Sequence, residues 1–537
     1  SLYTEKLYAT SNPTLLENSK KGKYTETRGE ERQTYGDVML NLSKTFKEKF
    51  SLDAHIGASI KDNRFDELSV YGPIAGAPNI FNVVNLDKSQ KKTPKTGWHE
   101  QTQSFFYSLE LGWKSQLFVT TTGRNDWASQ LANSPQKSFF YPSVGVSWLP
   151  SSTFNFPEKF NYLKIRASWA SVANPFPREL TIATHPYDDT ISGWDDKSNY
   201  PIGQLYPERT KTWELGFDAR FLHGFTLSAS WYRADTYNQT FNPNLSASSG
   251  YSDIYIQTGH VRNTGVEASL GYDHQWKNWN WNSQFTFSWN KNKIIELCKE
   301  WYNPITEETI TMNRLQISKL GRAKFILKEG GSMGDLYSTT DLRRDDKGNI
   351  EIDEGGNVVV EDNLPDMKLG SVFPDYNLAW RNSVSWKNLN LGFLVTARIG
   401  GIVNSLTQAN MDLFGVSEAT AAARDAGGAL VNGRSLVNPE TWYTAIASQG
   451  GIPQYYTYSA TNVRLQELSL GYTIPRKWLH NICSITVSFV GRNLWMMYCK
   501  APFDPEAVAS TNNFYQGMDY FMMPSTRNLG FNINIKF

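Results

Sequence analysis

The chain has 537 residues, a formal net charge of +1, 20% charged and 14% aromatic residues, and a mean hydropathy of −0.47. That neutral balance argues against bulk attraction to nucleic acid. No run of about 18 apolar residues occurs, which excludes a transmembrane helix but leaves a membrane β-barrel open. Cys298, Cys483 and Cys499 cannot all pair with one another and lack metal-ligand spacing; free thiols are expected, with a Cys483–Cys499 bridge the alternative.

Alternation of period two begins near residues 32–46 and 50–64, where Phe50, Leu52, Ala54, Ile56, Ala58 and Ile60 share one parity. Strands are expected next at 98–113 and 115–127, joined by a tight connection at Lys114–Gln116, and then at 139–149 and 161–173. Over 211–222, Trp213, Leu215, Phe217, Ala219 and Phe221 fall opposite Glu214, Gly216, Asp218 and Arg220. A His223-Gly224 turn leads into 225–237, and the same two-sided pattern recurs at 260–275 and 280–292. One or two further strands are expected between 322 and 342, followed by 374–387, 389–403, 460–475, 482–495 and 526–537. In the last of these, Leu529, Phe531, Ile533, Ile535 and Phe537 oppose Asn528, Gly530, Asn532, Asn534 and Lys536.

These segments predict an all-β chain of about 16 antiparallel strands, with short turns alternating with long polar connections. Strands that are apolar on one side and amide-rich or charged on the other suit a wall between lipid and water. Interior charges would be costly on the lipid side. A transmembrane antiparallel β-barrel spanning residues 1–537 is the expectation, and a soluble tandem of β-sandwiches is the competing architecture.

No catalytic constellation appears: the seven histidines are scattered, and nucleophile-elbow, Walker A, dinucleotide and zincin patterns are absent. An enzyme is therefore not expected, nor a cofactor or a catalytic metal. Asp345-Asp-Lys-Gly-Asn-Ile-Glu351 lacks the full spacing of an EF-hand and reads as a solvated loop. Loop aromatics are the candidate ligand contacts: Trp194, Tyr200, Trp301, Trp442, Tyr443, Tyr455, Tyr456 and Tyr458, with Tyr206 and Tyr302 beside them. Such rings stack on sugars or grip peptide side chains, or they order large loops by packing.

Several ordered strings resemble one family. They include Arg124-Asn-Asp-Trp127, Ser138-Phe-Phe-Tyr-Pro-Ser143, Leu163-Lys-Ile-Arg-Ala-Ser-Trp169, Pro207-Glu-Arg-Thr-Lys-Thr-Trp213 and Asn263-Thr-Gly-Val-Glu267. Leu465-Gln-Glu-Leu-Ser-Leu-Gly-Tyr472, Gly491-Arg-Asn-Leu-Trp495 and Phe503-Asp-Pro-Glu506 continue the series. Together they resemble SusC/RagA-type TonB-dependent outer-membrane transporters of the Bacteroidetes. That resemblance implies a plugged barrel of about 22 strands. It implies that the plug and about six strands lie in another segment of the polypeptide, so that Ser1 marks a break and Phe537 a native end carrying the barrel-assembly signal.

The implied partners are a SusD-like surface lipoprotein, TonB acting through the missing amino-terminal part, outer-membrane lipid or lipopolysaccharide, and a second transporter–lipoprotein pair in a dimer. The implied activity is energy-dependent import of oligopeptides, with oligosaccharides as the alternative cargo. A passive porin or surface-binding barrel is a further alternative. On the same resemblance, no bond is broken.

Overall fold

The computed structural model describes residues 1–9, 20–178, 180, 187–188, 193–194, 199–200, 205–241, 253–257, 259–303, 307–510 and 515–537. Period-two sequence becomes one continuous antiparallel sheet of sixteen strands in which chain order is also spatial order. They are β1 Leu2–Tyr8, β2 Gly22–Phe46, β3 Phe50–Pro73, β4 Lys95–Trp113, β5 Leu117–Ala128, β6 Phe139–Trp148, β7 Phe160–Asn174 and β8 Glu208–Phe221. They continue as β9 Phe225–Tyr237, β10 His260–Trp276, β11 Trp279–Glu296, β12 Tyr376–Trp386, β13 Leu389–Ile399, β14 Asn462–Ile474, β15 Ser484–Cys499 and β16 Asn528–Lys536. β1 and β16 stand at the two ends of this sheet and do not pair with each other.

Sixteen strands is the expected number, but the membership differs. β1 was not expected, because Leu2–Tyr8 carries charges among its apolar residues and is largely exposed on both faces. The strands expected between 322 and 342 exist but leave the wall. Arg314–Leu320, Ala323–Lys328, Asp335–Ser338 and Met367–Ser371 form a separate four-stranded sheet. The reason is visible in burial: Phe325, Ile326 and Leu327 are consecutive and all 0% exposed. A wall strand buries neither face so completely, whereas a strand inside a packed layer buries both.

The hairpins at one end are tight. At 47–48, 114–115 and 222–223, two successive non-glycine residues take φ between 47° and 55°. Lys49 N–H donates to Phe46 O at 3.1 Å, and Gln116 N–H to Trp113 O at 2.9 Å. This is type I′ geometry, whose twist matches that of the flanking strands. Asn278 and Asn388 help make two-residue links between β10 and β11 and between β12 and β13. The connections at the opposite end are all longer than these two- and three-residue links, although 149–159 and 475–483 on the tight side are themselves extended.

Register stacks the aromatics into a girdle beside the tight turns. Phe221 faces Phe160 on one neighbouring strand and Phe225 on the other, with ring centroids 6.3 and 5.7 Å apart. The belt runs on through Phe225–Tyr272 at 4.5 Å, Tyr272–Trp281 at 5.1 Å and Trp279–Trp386 at 5.7 Å. Above it, Trp213, Leu215, Trp231, Phe285, Trp380, Leu470 and Phe489 are exposed on the outward parity. An exposed apolar surface of this extent, bordered by an aromatic belt, is the lipid-facing side of a membrane wall.

Two hydrophobic cores are built from the long connections and form a cap over the long-loop end. Leu342, Val358, Ala409, Ile446, Ile452 and Tyr456 form one buried cluster; Phe325, Leu336, Val372, Leu406 and Met518 form another. Three helices belong to this cap: α1 Leu406–Leu413, α2 Glu418–Asp425 and α3 Pro439–Ala447. Each starts at a capping side chain, Ser405, Ser417 and Asn438, that accepts amides of the first turn. Ser405 also donates to Asp519 at 2.5 Å, joining the 13–14 and 15–16 connections where Ile402–Ser405 pairs with Met518–Asp519. Cys483 and Cys499 carry thiols rather than a disulfide.

Candidate ligand-capture site

The inward parity of the wall is polar and braced by ion pairs. Arg166 on β7 reaches Asp218 on β8 at 2.6 Å and Glu214 at 3.6 Å, and Ser228 on β9 donates to Asp218 at 2.7 Å. Arg166, Glu267, Arg398 and Glu506 border an inward-facing cavity of about 670 Å³. Nearer the long-loop rim, Asp235 is 6% exposed and accepts from Arg233, His260 and Arg262 at 2.8, 2.6 and 2.7 Å.

The strings singled out in the sequence hold this rim together. Arg124 donates to Asp126 at 2.7 Å and to Ser104 at 2.7 Å, while Tyr141 donates its hydroxyl to Asp126 at 2.8 Å. The Phe503-Asp-Pro-Glu506 string is clamped by Arg464 on β14, itself 4% exposed. Its guanidinium meets Asp504 bidentately at 2.8 and 3.1 Å and Glu506 at 3.4 Å, and Asn462 accepts its Nε–H at 3.0 Å. Burial pushes the Asp504 carboxyl upward, but the hydrogen bonds and charge of Arg464 outweigh it and hold the group below its ordinary range.

The structure divides the candidate aromatics. Tyr456 is 1% exposed; its hydroxyl donates to Asp412 at 3.0 Å, and burial beside that carboxylate drives its pKa upward. Its ring packs in the cap core, so packing is its observed role. Trp442 and Tyr455 meet edge-on at 5.9 Å against the same core, and burial raises Tyr455. Tyr458 meets Phe503 edge-on at 5.6 Å; burial and then Asp412 push its pKa up to about 12. Tyr443 instead borders an open cavity with Asp412, Arg424 and Glu440. Those three charged residues lie outside the sequence expectation, which rests on aromatic rings. The side chains of Trp194, Tyr200 and Trp301 lie outside the described residues. Phe537, beyond the end of β16, is 90% exposed.

The Asp345 carboxylate is occupied locally: it accepts the amides of Lys347 and Asn349 at 2.9 and 2.8 Å and the Asn349 side chain at 3.0 Å. Asp353 repeats the arrangement with Asn357 eight residues on. Among the described residues, no group of three His, Cys, Asp or Glu side chains is placed to hold a metal ion.

Comparison with known proteins matches this architecture. The profile of the family described as TonB dependent receptor-like, beta-barrel, matches residues 3–494. TonB-dependent receptor P3 of Formosa agariphila is 26% identical over 97% of this chain and 55% of its own length. TonB-dependent receptor SusC of Bacteroides thetaiotaomicron is 21% identical over 70% of this chain and 38% of its own length. The chain thus spans about half the length of the curated relatives it matches first. Among solved structures, the RagAB peptide importer in its open-open state superposes with a TM-score of 0.78 at 17% identity, covering 100% of this chain and 57% of that one. The structure of the RagAB peptide transporter gives 0.75 at 17% identity, covering 100% and 58%. At these identities the likeness is one of fold.

Proposed function

Because the chain belongs to the TonB-dependent receptor-like β-barrel family, and so to the outer membrane, we propose that it supplies the wall and capture loops of an energy-dependent importer of oligopeptides. The transporter works with a SusD-like surface lipoprotein that closes over the cap, and TonB acts through parts of the protein outside residues 1–537. No covalent chemistry is required of this chain. The observation that carries the reading is the joining of a lipid-facing, polar-lined wall to a cap with its own core over the long-loop end. A passive pore needs no such cap.

In this reading the wall is completed to about 22 strands and filled by a plug. Among the described residues the outer edges of β1 and β16 have no strand partner, which supports it, since an open sheet edge in hydrocarbon leaves backbone groups unsatisfied. The inward polar face with its 670 Å³ cavity is the surface on which a plug would rest. Oligopeptide cargo is favoured by the fold likeness to RagAB, a transporter described as one of peptides.

The test is to purify the full-length transporter with its lipoprotein from native membranes and identify the released ligand by mass spectrometry. A ladder of short peptides is expected. Release of oligosaccharides alone would reassign the cargo, and a barrel closed by these sixteen strands alone would overturn the assignment of the missing wall.

A further inference from the structure

The three cap helices converge on a cavity of about 380 Å³. The end of α1 contributes Asp412 and Phe414, α2 contributes Thr420 and Arg424, and α3 contributes Glu440 and Tyr443. The charges on this cavity are unmatched. Asp412 is 6% exposed, yet among the described residues its side-chain oxygens accept only from neutral donors, Gln408 Nε2 at 3.1 Å and the Tyr456 hydroxyl at 3.0 Å. Arg424 and Glu440 are exposed at the mouth, and Arg424 is steered by one N–H to Gly415 O at 2.9 Å. That leaves its other N–H groups available. Among the described residues, none of the three enters an ion pair, although they share one cavity.

A carboxylate withdrawn from water without a cation is costly, and the packing of Tyr456 and Gln408 holds Asp412 in place nonetheless. A cation brought from outside would relieve that cost. Phe414, 74% exposed, adds an apolar lip beside the charges. A neutral sugar would leave all three charges uncompensated. A peptide carries an ammonium group and, nearby, carbonyl or carboxylate oxygens for a guanidinium. We infer that this cavity is a subsite for a primary ammonium group of an oligopeptide, with Asp412 taking the ammonium, Glu440 adding negative potential at the mouth and Arg424 holding the peptide's oxygens. The inference rests on the oligopeptide reading above and deepens it.

The experiment uses the full-length transporter with its lipoprotein and isothermal titration. The probes are one short peptide of defined sequence with a free amino terminus and a single lysine, its N-acetylated twin, and a twin with norleucine for the lysine. Loss of the recognised amine is expected to weaken binding by about 30-fold, and whichever twin shows it identifies the amine as terminal or lysyl. Asp412→Asn is expected to abolish that preference, and Glu440→Gln at the exposed mouth to reduce it. The wild-type comparison needs no variant to fold, so equal binding of the three peptides within twofold overturns the subsite while leaving peptide import standing. A preference that persists in Asp412→Asn does the same. If no peptide binds and oligosaccharides do, the oligopeptide reading falls and the subsite with it.

Discussion

The wall and the cap use the same residue types in opposite senses. On the wall, Trp213 is 57% exposed and Leu215 55%, because the surrounding lipid receives them. In the cap, Phe325, Leu327 and Ile452 are all 0% exposed, because water surrounds that region and other side chains must receive them. Among the described residues, the wall side chains that join buried clusters, such as Phe139, Ala173 and Ile294, sit at its long-loop rim; the rest of the wall relies on backbone ladders and lipid. The cap has a core assembled from segments far apart in sequence, as in the Ser405–Asp519 hydrogen bond across 114 residues. Apolar content alone therefore does not say which way a residue faces in this chain; its surroundings do.

The sharpest test of that contrast is Tyr456→Ala. It opens a void in the cap core and strips Asp412 of a donor, so a local cost of about 4 kcal/mol is expected. Hydrogen exchange should rise across α1 and α3 while the wall amides stay protected; loss of protection in the wall as well would show that the two regions are one cooperative unit. Arg464→Ala follows at about 3 kcal/mol, since it leaves Asp504 and Glu506 without their cation. Its expected signature is protease cleavage near residues 500–510, with strand content unchanged by circular dichroism.

On the wall the rule reverses. Leu215→Arg is expected to cost about 2 kcal/mol in urea titrations of the full-length barrel in vesicles, whereas Thr286→Gln on the inward face stays within about 0.5 kcal/mol. Equal costs would mean that the faces are misassigned. Smaller still is Asn432→Ala. The Asn432 side chain clips Ile350 by two hydrogen bonds at 2.9 and 2.8 Å, so about 1 kcal/mol is expected, read as faster exchange at Ile350.

Acid gives the finest comparison. Arg314 foremost, and Lys328, hold Asp366 at about 2, below its ordinary 3.8, even though burial opposes them. A depressed carboxyl stabilises above its unfolded pKa and loses that contribution as pH falls through the folded value. The Arg314–Lys328 hairpin should therefore loosen between about pH 4 and pH 2, and Asp366→Asn should remove this acid limb from its exchange profile.

Strand existence and facing were legible in the sequence because period two is local: Trp213 to Phe221 alternate whether or not their neighbours are known. The family strings were legible too, and the structure shows Arg124, Asp126, Tyr141, Arg464 and Asp504 as the braces within them. The helices of the cap were not expected, since α1, α2 and α3 are only eight or nine residues long and lie inside a polar connection. Such short helices owe their stability to packing rather than to propensity.

The aromatic clusters were visible as composition but not as roles. Tyr455, Tyr456 and Tyr458 are near neighbours in sequence, yet only contacts with Asp412, Trp442 and Phe503 from other segments distinguish a core ring from a rim ring. The cavity charges Asp412, Arg424 and Glu440 carry no local signature, because nothing in a single residue records the absence of a partner. What the sequence determined alone was a two-faced strand pattern, since alternation needs only the pleat of the backbone. What the tertiary structure decided was which apolar residues turn inward and which charges stay unpaired, because burial and compensation are set by segments that meet only after folding.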